Sequence, residues 1–213
     1  YVYKHSLNTA ILCALISSRL GLEFKTQLDL TAAALLHDIG GLQIPNNIIR
    51  KKTIDLTMED EKKITMCYQN SYDAFKANLD LSPDIKRILS AGLMLLHPDI
   101  PSATENVPKV IGAEILKVAN CFDNMTAMKF GDEPLSEIAA IRCLLEMEDQ
   151  FDRKIVDALL DSINVLSPGV CVEFTNGDKG LVVTANDSNV LEPFVLSFKD
   201  NKLYDLADSK VAE

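Results

Sequence analysis

Histidine is scarce in this chain, and two of its three histidines could serve the same chemistry. His37 is followed directly by Asp38 at the end of a strongly apolar segment, and His5 lies close to the start of the chain. An imidazole nitrogen beside a carboxylate oxygen can hold a divalent cation, provided that other parts of the fold supply the remaining ligands. We therefore interpret His5, His37 and Asp38 as candidate metal ligands.

The same three residues also have a purely structural interpretation. His37 could donate a hydrogen bond to a backbone carbonyl, Asp38 could cap a helix or form a local ion pair, and His5 could be a solvated residue at a helix end. A His-Asp dipeptide without further context is compatible with both interpretations, so the residues alone leave them open.

The segments that carry these residues have helical periodicity. Apolar positions recur at three- to four-residue spacing over residues 3–20, and Gly21 supplies a stop, so we predict a helix that is buried on most sides. Residues 28–38 are predicted to form a second buried helix, which Gly40 and Gly41 end in a left-handed conformation. Antiparallel packing of the two helices would bring the three candidate ligands within a few ångström.

Further helices and a small sheet are predicted for the rest of the chain. Thr57 and Asp60 resemble a capping box, and Ser82 before Pro83 is typical of a helix start. The predicted helices cover residues 58–78, 83–96, 110–129, 135–147 and 153–166, with a short helical turn at Pro45. After residue 168, short β-branched or aromatic runs alternate with turn residues, which predicts an antiparallel sheet.

The predicted fold class is therefore mainly α, a bundle of about seven helices with a small C-terminal antiparallel β appendage. We place the subdomain boundary near Ser167. Residues 1–166 are then the helical domain and residues 167–213 the β subdomain.

The composition narrows the classes of function. With 213 residues, of which 47% are hydrophobic and 24% charged, the chain has a typical globular composition. The formal net charge of -10 disfavours nucleic acid polymers and membrane surfaces, because both require clustered Lys and Arg. Five scattered cysteines without C-x-x-C spacing are typical of a reducing, cytoplasmic environment. The chain does not begin with Met, so we expect a further segment before Tyr1.

Four segments carry a resemblance to a known family. They are Tyr3-Lys4-His5-Ser6, the run from Leu35 to Gly40 followed by Ile44-Pro45, the helix from Glu114 to Asp123, and Gln150-Phe151-Asp152. In the same order, they resemble the H-S, H-D, V-A-D and Q-F-D-P motifs of the HD-GYP branch of the HD phosphohydrolase superfamily. Members of that branch hydrolyse cyclic dinucleotides with a two- or three-metal centre. The resemblance implies an HD-type helical bundle, and the strands near the C-terminus resemble the β appendage of many such domains.

The chain departs from the family pattern at several metal-binding positions. Asn120 stands where the family has a metal-binding Asp, and Cys67 falls on or near the position of a ligand His. Tyr1 corresponds to a metal-binding Glu, and Gly41 to the Lys that follows the H-D pair. The segment that gives the branch its name has become residues 93–101, without the adjacent His pair and without G-Y-P.

These departures reduce the implied metal centre. A pair of cations needs several anionic or imidazole ligands per ion, because ligand charge must offset their repulsion. At most, the three candidate ligands would hold one weakly bound divalent metal (Mn, Fe or Zn), with the neutral Asn120 carbonyl as a poor fourth ligand. A different site could be rebuilt from Cys67, His97 and Asp99. Otherwise Cys67 fills an apolar position, the other two lie in a solvated loop, and Asp123 is a structural carboxylate.

Two functions from different classes follow from this pattern. The one we favour is a degenerate HD-GYP-like domain, catalytically impaired, which acts as a regulatory or protein-interaction module in bacterial cyclic dinucleotide signalling. Its partner would be a signalling protein or a domain N-terminal to Tyr1, and His37 with Asp38 would form a charge-assisted pair that holds helices together. The alternative is a metal-dependent phosphodiesterase that acts on a cyclic dinucleotide or nucleotide through the reduced site.

A third possibility is that the domain binds a cyclic dinucleotide without cleaving it. The loop over residues 98–106 contains no Arg or Lys, which a dianionic ligand would need, so the sequence disfavours this role.

Overall fold

The computed structural model describes residues 1–104, 109–128, 133–147, 149–163, 166–186 and 191–208. These residues form eight α-helices and one four-stranded antiparallel sheet, which confirms the predicted mainly α class with a C-terminal β appendage. The helices are α1 (Val2–Arg19), α2 (Phe24–Leu36), α3 (Asn46–Ile49), α4 (Met58–Ala77), α5 (Pro83–Leu96), α6 (Ile111–Thr126), α7 (Glu137–Glu146) and α8 (Arg153–Ser162). Short 3-10 helices cover Ile39–Gln43, Thr53–Asp55 and Pro101–Thr104. None of the helices in these ranges is long and apolar enough to cross a bilayer.

The predicted start signals of α4 and α5 are confirmed. The Thr57 hydroxyl accepts from the Asp60 backbone N–H, and the Asp60 carboxylate accepts from the Thr57 backbone N–H, so the capping box is complete. Lys51 donates to the same carboxylate at 2.6 Å. The Ser82 hydroxyl caps α5 by accepting from the Ile85 backbone N–H. These local bonds satisfy donors that the first turn of each helix leaves without an intrahelical partner.

Helix α6 is central to the helical unit and positions much of the candidate site. It packs against α1, α2, α5 and α7. Its apolar residues Ala113, Ile115, Leu116 and Ala119 are fully buried. Burying a leucine or isoleucine side chain contributes about 2 kcal/mol. The side of α6 that faces α1 and α2 therefore has a fixed place in the core.

One predicted feature of α1 is wrong. Four of its large apolar side chains, Tyr3, Leu7, Ile11 and Leu15, are exposed to solvent. The helix packs against α2 and α6 with its opposite side, so it is not buried on most sides. We call these four residues the α1 stripe. The sequence of α1 is apolar around most of the helix, but only one side of the helix packs against the rest of the bundle.

The glycines after α2 have a different role from the predicted one. Glycines were predicted to end both α1 and α2. Gly21, after α1, has the positive φ of a left-handed residue. Gly40 and Gly41 lie in the 3-10 helix after α2 and do not have a positive φ. A Cβ atom at Gly40 would lie 2.8 Å from a ring carbon of Tyr68 and 2.9 Å from the Ser71 hydroxyl oxygen. Close approach to α4, rather than backbone conformation, explains the glycine at position 40.

Several helix ends differ from the predicted ones. Helix α2 begins at Phe24 rather than at Leu28. The sequence pattern did not predict this first turn, because it begins with the exposed Phe24 and does not continue the apolar periodicity of the buried turns. It ends at Leu36, so that His37 is its C-cap and Asp38 lies beyond it. Helix α8 ends at Ser162 rather than at residue 166. Terminal turns have few core contacts, and a pattern of apolar residues marks them poorly.

The C-terminal strands form a meander in the order β1 (Cys171–Glu173), β2 (Lys179–Thr184), β3 (Phe194–Ser197) and β4 (Leu203–Asp205). Gly177 has a positive φ in the turn between β1 and β2, as the Asn-Gly pair predicts. The chain groups into two compact units, Tyr1–Leu159 and Leu160–Glu213. The domain boundary near Ser167 stays a prediction.

Candidate functional site

A small cavity in the helical unit brings the three candidate ligands together. Its volume is about 170 Å³, and residues from α1, α4, α5, α6 and the end of α2 line it. We call it the site cavity. Its lining residues are Tyr1, His5, His37, Asp38, Tyr68, Leu96, His97, Asn120 and Asn124.

His5 is held in a fixed orientation by α6. Its Nδ1 donates to Oδ2 of Asp123 at 2.6 Å, and Asn8 donates to the other oxygen of that carboxylate at 2.8 Å. The ring is buried, so His5 is not the solvated residue of the structural interpretation. A carboxylate behind a histidine fixes the tautomer and directs the second ring nitrogen forwards. Asp123 thus orients His5, and Nε2 of His5 faces the cavity. That Asp123 is a structural carboxylate stays a prediction.

His37 is oriented in a comparable way by its own helix. Its Nδ1 donates to the backbone carbonyl of Ala34 at 2.7 Å. Burial lowers the pKa of His37, because desolvation penalises the imidazolium. The ring is therefore neutral, with its proton on Nδ1 and a lone pair on Nε2. The centres of the His5 and His37 rings are 5.2 Å apart.

Asn120 lies between these two rings. Nε2 of His5 and Nε2 of His37 are 2.8 and 3.0 Å from the Oδ1 position of Asn120. A carbonyl oxygen cannot pair with a nitrogen that carries a lone pair, and the two ends of an asparagine amide have the same shape. We therefore assign the amide with its NH2 group toward the rings. One N–H then donates to each histidine, and both lone pairs are used.

Asp38 is held by a different partner from the predicted one. Its Oδ1 accepts from the Tyr68 hydroxyl at 2.6 Å, and both residues are buried. Burial and the neighbouring Asp38 carboxylate raise the pKa of Tyr68, so its hydroxyl stays a donor. The predicted charge-assisted pair of His37 with Asp38 is wrong, because the imidazole binds Ala34 and Asn120 instead. Sequence reasoning missed Tyr68, since a tyrosine at an apolar helical position is typical of a core residue.

His97 belongs to the site rather than to a solvated loop. It is the C-cap of α5, and its ring stacks on Tyr68 with ring centres 3.5 Å apart. Burial and the nearby His37 ring lower the pKa of His97 to about 4. The prolines of the following segment suggested an exposed residue, but the first of them only ends the helix. The side chain turns back toward α4.

The residues of the site do not fit a pair of metal ions. The Nε2 atoms of His5 and His37 both face the Asn120 amide. One carboxylate oxygen of Asp38, the third candidate ligand, accepts from the Tyr68 hydroxyl. Cys67 is not among the lining residues of the site cavity. Asp99 is exposed and does not line the site cavity. Within the described ranges, no group of three or more His, Cys, Asp or Glu side chains is placed to hold a metal.

The space for a side chain at Gly41, three residues after Asp38, is also limited. A Cβ atom at Gly41 would lie 3.0 Å from Cγ2 of Val2 and 3.1 Å from Oδ1 of Asp38. The resemblance assigns a lysine to this position, and a lysine here would require the side chains of Val2 and Asp38 to shift by a few tenths of an ångström.

A second cavity of about 780 Å³ shares Leu96 and His97 with the site cavity. Its wall is largely apolar, and its charged lining residues are Glu61, Lys62 and Asp99. Its volume is typical of small-molecule pockets. Two carboxylates against one ammonium, however, give it the wrong charge for phosphates.

Comparisons with known proteins show the family of the helical domain. Residues 2–155 match the family model described as HD domain. The chain is 24% identical over 216 residues to the cyclic di-GMP phosphodiesterase PdeB of Borreliella burgdorferi, with 96% of this chain and 54% of that protein covered. The chain thus spans about half the length of that curated relative. It also resembles the crystal structure of the HD domain of the L. monocytogenes phosphodiesterase PgpH in complex with cyclic-di-AMP, with a TM-score of 0.52 and 18% identity. That match covers 76% of this chain and 90% of the other, and at this identity it shows the fold alone.

Proposed function

Because the chain belongs to the HD domain family, we propose that it is a degenerate member of the HD-GYP branch, a catalytically impaired regulatory or protein-interaction module in bacterial cyclic dinucleotide signalling. The names of its relatives support the signalling context, since one is a cyclic di-GMP phosphodiesterase and the other an HD domain bound to cyclic-di-AMP. The five scattered cysteines, without C-x-x-C spacing, support a cytoplasmic location.

The observation that carries the proposal is the Asn120 amide between two imidazoles. In hydrolytic sites of this kind, a bound metal polarises the phosphate and activates water. Here the two nitrogens that would be its ligands both contact the Asn120 amide, which we assign with its NH2 group toward them. A neutral amide also supplies none of the negative charge that a cation requires. The site thus has the donor set of a hydrogen-bonded core rather than that of a metal centre.

The same contacts join the helices of the bundle. His5 of α1 binds Asn120 and Asp123 of α6, and the end of α2 reaches α6 through His37. Asp38, just after α2, is joined to α4 through the Tyr68 hydroxyl. Buried polar networks in which each member has a partner fix one arrangement of helices and are costly to disturb. Such a network explains why residues of a hydrolytic motif remain useful without hydrolysis.

Metal content and hydrolysis test the proposal together. The wild-type chain and the Asp38→Ala variant are produced with manganese, iron and zinc supplied and analysed for bound metal. Both are then incubated with cyclic di-GMP and cyclic di-AMP, and the products are separated by chromatography. We expect well below one metal per chain in both proteins and no product above the metal-only control. Near-stoichiometric metal that disappears in Asp38→Ala, together with product formation, contradicts the proposal and supports a phosphodiesterase with a reduced metal site.

Binding of a cyclic dinucleotide without hydrolysis has less support. The cavity of about 780 Å³ is large enough for a small ligand, but Lys62 is its single cationic lining residue and two carboxylates share it. Phosphate oxygens usually bind arginine or several backbone N–H groups.

A further inference from the structure

The outer side of the first two helices is apolar and uncovered. In the α1 stripe, Tyr3 is 77%, Leu7 53%, Ile11 51% and Leu15 42% exposed. The residues are spaced by four, so they form one ridge along the helix. The proposed function does not involve this ridge, because His5 and its contact with α6 lie on the buried side of α1.

Helix α2 has a similar ridge. Phe24 is 71%, Leu28 54% and Leu35 47% exposed, and the buried residues of α2 lie on its opposite side. We call these three residues the α2 stripe. The two helices pack side by side, and each also packs against α6. We call the two stripes together the outer face.

The outer face has the size of a protein interface. Taking roughly 200 Å² for a large side chain, the exposed fractions leave about 700 to 800 Å² of mostly apolar surface. A stable interface of ordinary size buries about 800 Å² on each partner. Isolated exposed apolar residues are common, but here seven large ones lie on two helices that pack against each other, and large exposed apolar surfaces mark binding sites.

We propose that the outer face binds the outer face of a second copy of this chain and forms a two-fold symmetric dimer. A two-fold interface brings the same patch together from both copies, so the patch must be complementary to itself. An apolar ridge meets this requirement, since it packs against an identical ridge without charged partners. Ridges spaced by four residues favour a crossing angle of about -50° between helices.

The charges near the outer face favour a second copy over other occupants. Helix α1 contains no acidic residue, and its two cationic residues, Lys4 and Arg19, lie near its two ends. In α2, the acidic residue Asp29 accepts from Lys25 at 2.8 Å. A different protein would normally be recognised by complementary charges, which the ridges lack. An anionic membrane surface would be repelled by a chain of net charge -10.

The dimer and the proposed function are tested separately. The outer face and the site cavity lie on opposite sides of α1, so oligomeric state does not depend on whether a metal binds. The dimer inference therefore stands if the chain proves to be an active phosphodiesterase.

Sedimentation velocity from about 1 to about 300 µM is the first measurement, because interfaces of this size have micromolar or tighter dissociation constants. The wild-type chain should sediment as a dimer at the upper concentrations. In the Leu7→Glu/Ile11→Glu variant, two charges replace the middle of the α1 stripe. Its dissociation constant should rise by about a hundredfold or more, which leaves a monomer.

Two controls have the same chemical change at exposed positions outside the outer face. Ile54 is 89% and Leu79 92% exposed, and the Ile54→Glu and Leu79→Glu variants should dimerise like the wild type. Thermal melting confirms that each variant is folded, and Leu15→Glu replaces the double variant if that one melts early. A wild-type chain that remains monomeric over the whole range, including one that binds lipid vesicles instead, refutes the dimer. So does a dimer that persists in the stripe variants, or one that the two controls also lose.

Discussion

The Asn120→Asp substitution provides the sharpest test of how the site is held together. With the amide assigned as above, its NH2 group donates to Nε2 of both His5 and His37, which lie 2.8 and 3.0 Å away. A carboxylate of the same shape can only accept, so three acceptors would face one another in a partly buried cavity. The protein must then lose two hydrogen bonds, or one imidazole must take up a proton.

The expected magnitude follows from the two contacts. Each lost hydrogen bond, with an acceptor left unpaired, costs about 1 to 2 kcal/mol at a partly buried site. We therefore expect the free energy of unfolding to fall by roughly 2 to 4 kcal/mol, which corresponds to about 5 to 15 °C in Tm for a domain of this size. A divalent metal would reverse the loss, because the new carboxylate with His5, His37 and Asp38 supplies four ligands. Metal at a hundred times its dissociation constant would contribute about 2.7 kcal/mol.

Thermal melting with and without added manganese or zinc measures both effects. The wild type should melt at the same temperature in chelator and in metal, whereas Asn120→Asp should melt early in chelator and recover in metal. Asn124→Asp is the matched control on the same helix, since Oδ1 of Asn124 already accepts from the Tyr1 hydroxyl at 2.7 Å and a carboxylate can continue to do so. An Asn120→Asp variant as stable as the wild type in chelator would show that the amide does not donate to the rings.

Three further predictions concern neighbouring contacts. Asp38→Ala should lower the free energy of unfolding by about 2 to 4 kcal/mol in urea, because it leaves the buried Tyr68 hydroxyl without an acceptor. Adding Tyr68→Phe should then cost little more, and strictly additive losses would contradict the pairing. The pKa of His97 is about 4 in the folded chain and near 6.5 in the unfolded one, so the unfolded chain binds the extra proton between these values. Stability should be complete above pH 6.5 and fall by up to about 3 kcal/mol as the pH decreases toward 4. His97→Phe should reduce the change of the free energy of unfolding between about pH 4 and pH 6.5. A variant whose stability changes with pH as in the wild type would refute the assignment of this dependence to His97. Thr57→Ala should cost about 1 to 2 kcal/mol in the same assay, because it removes the cap of α4, and an unchanged midpoint would show that Asp60 caps the helix alone.

Features of the fold that depend on local sequence could be predicted, and features of the site that depend on tertiary contacts mostly could not. The capping box at Thr57 and the cap at Ser82 need only neighbouring residues, and both are present. The meeting of His5 and His37 follows from the antiparallel packing of two consecutive helices. By contrast, Tyr68 reaches Asp38 across 30 positions of the chain, and no local pattern marks that pairing.

Burial was the least predictable property. Helix α1 is apolar on nearly every side, so periodicity could not indicate which side the core would use. The bundle buries the side with His5 and leaves the α1 stripe in solvent. His97 shows the opposite error, since a proline-rich neighbourhood suggested exposure while stacking on Tyr68 leaves the residue half-buried. In both cases the deciding contacts come from other helices.

The tight packing at Gly41 bears on how such a domain can evolve. Val2 of α1 and the Asp38 carboxylate occupy the surroundings of the position to which the resemblance assigns a lysine. Restoring the carboxylate at position 120 would not restore the lysine, and restoring the lysine first would displace the Val2 side chain while Asn120 still contacts both histidines. Each change alone therefore leaves the other departure from the family pattern in place. Under the proposed function, a return to hydrolysis would therefore require coordinated changes at positions 41 and 120, which lie in the 3-10 helix after α2 and in α6.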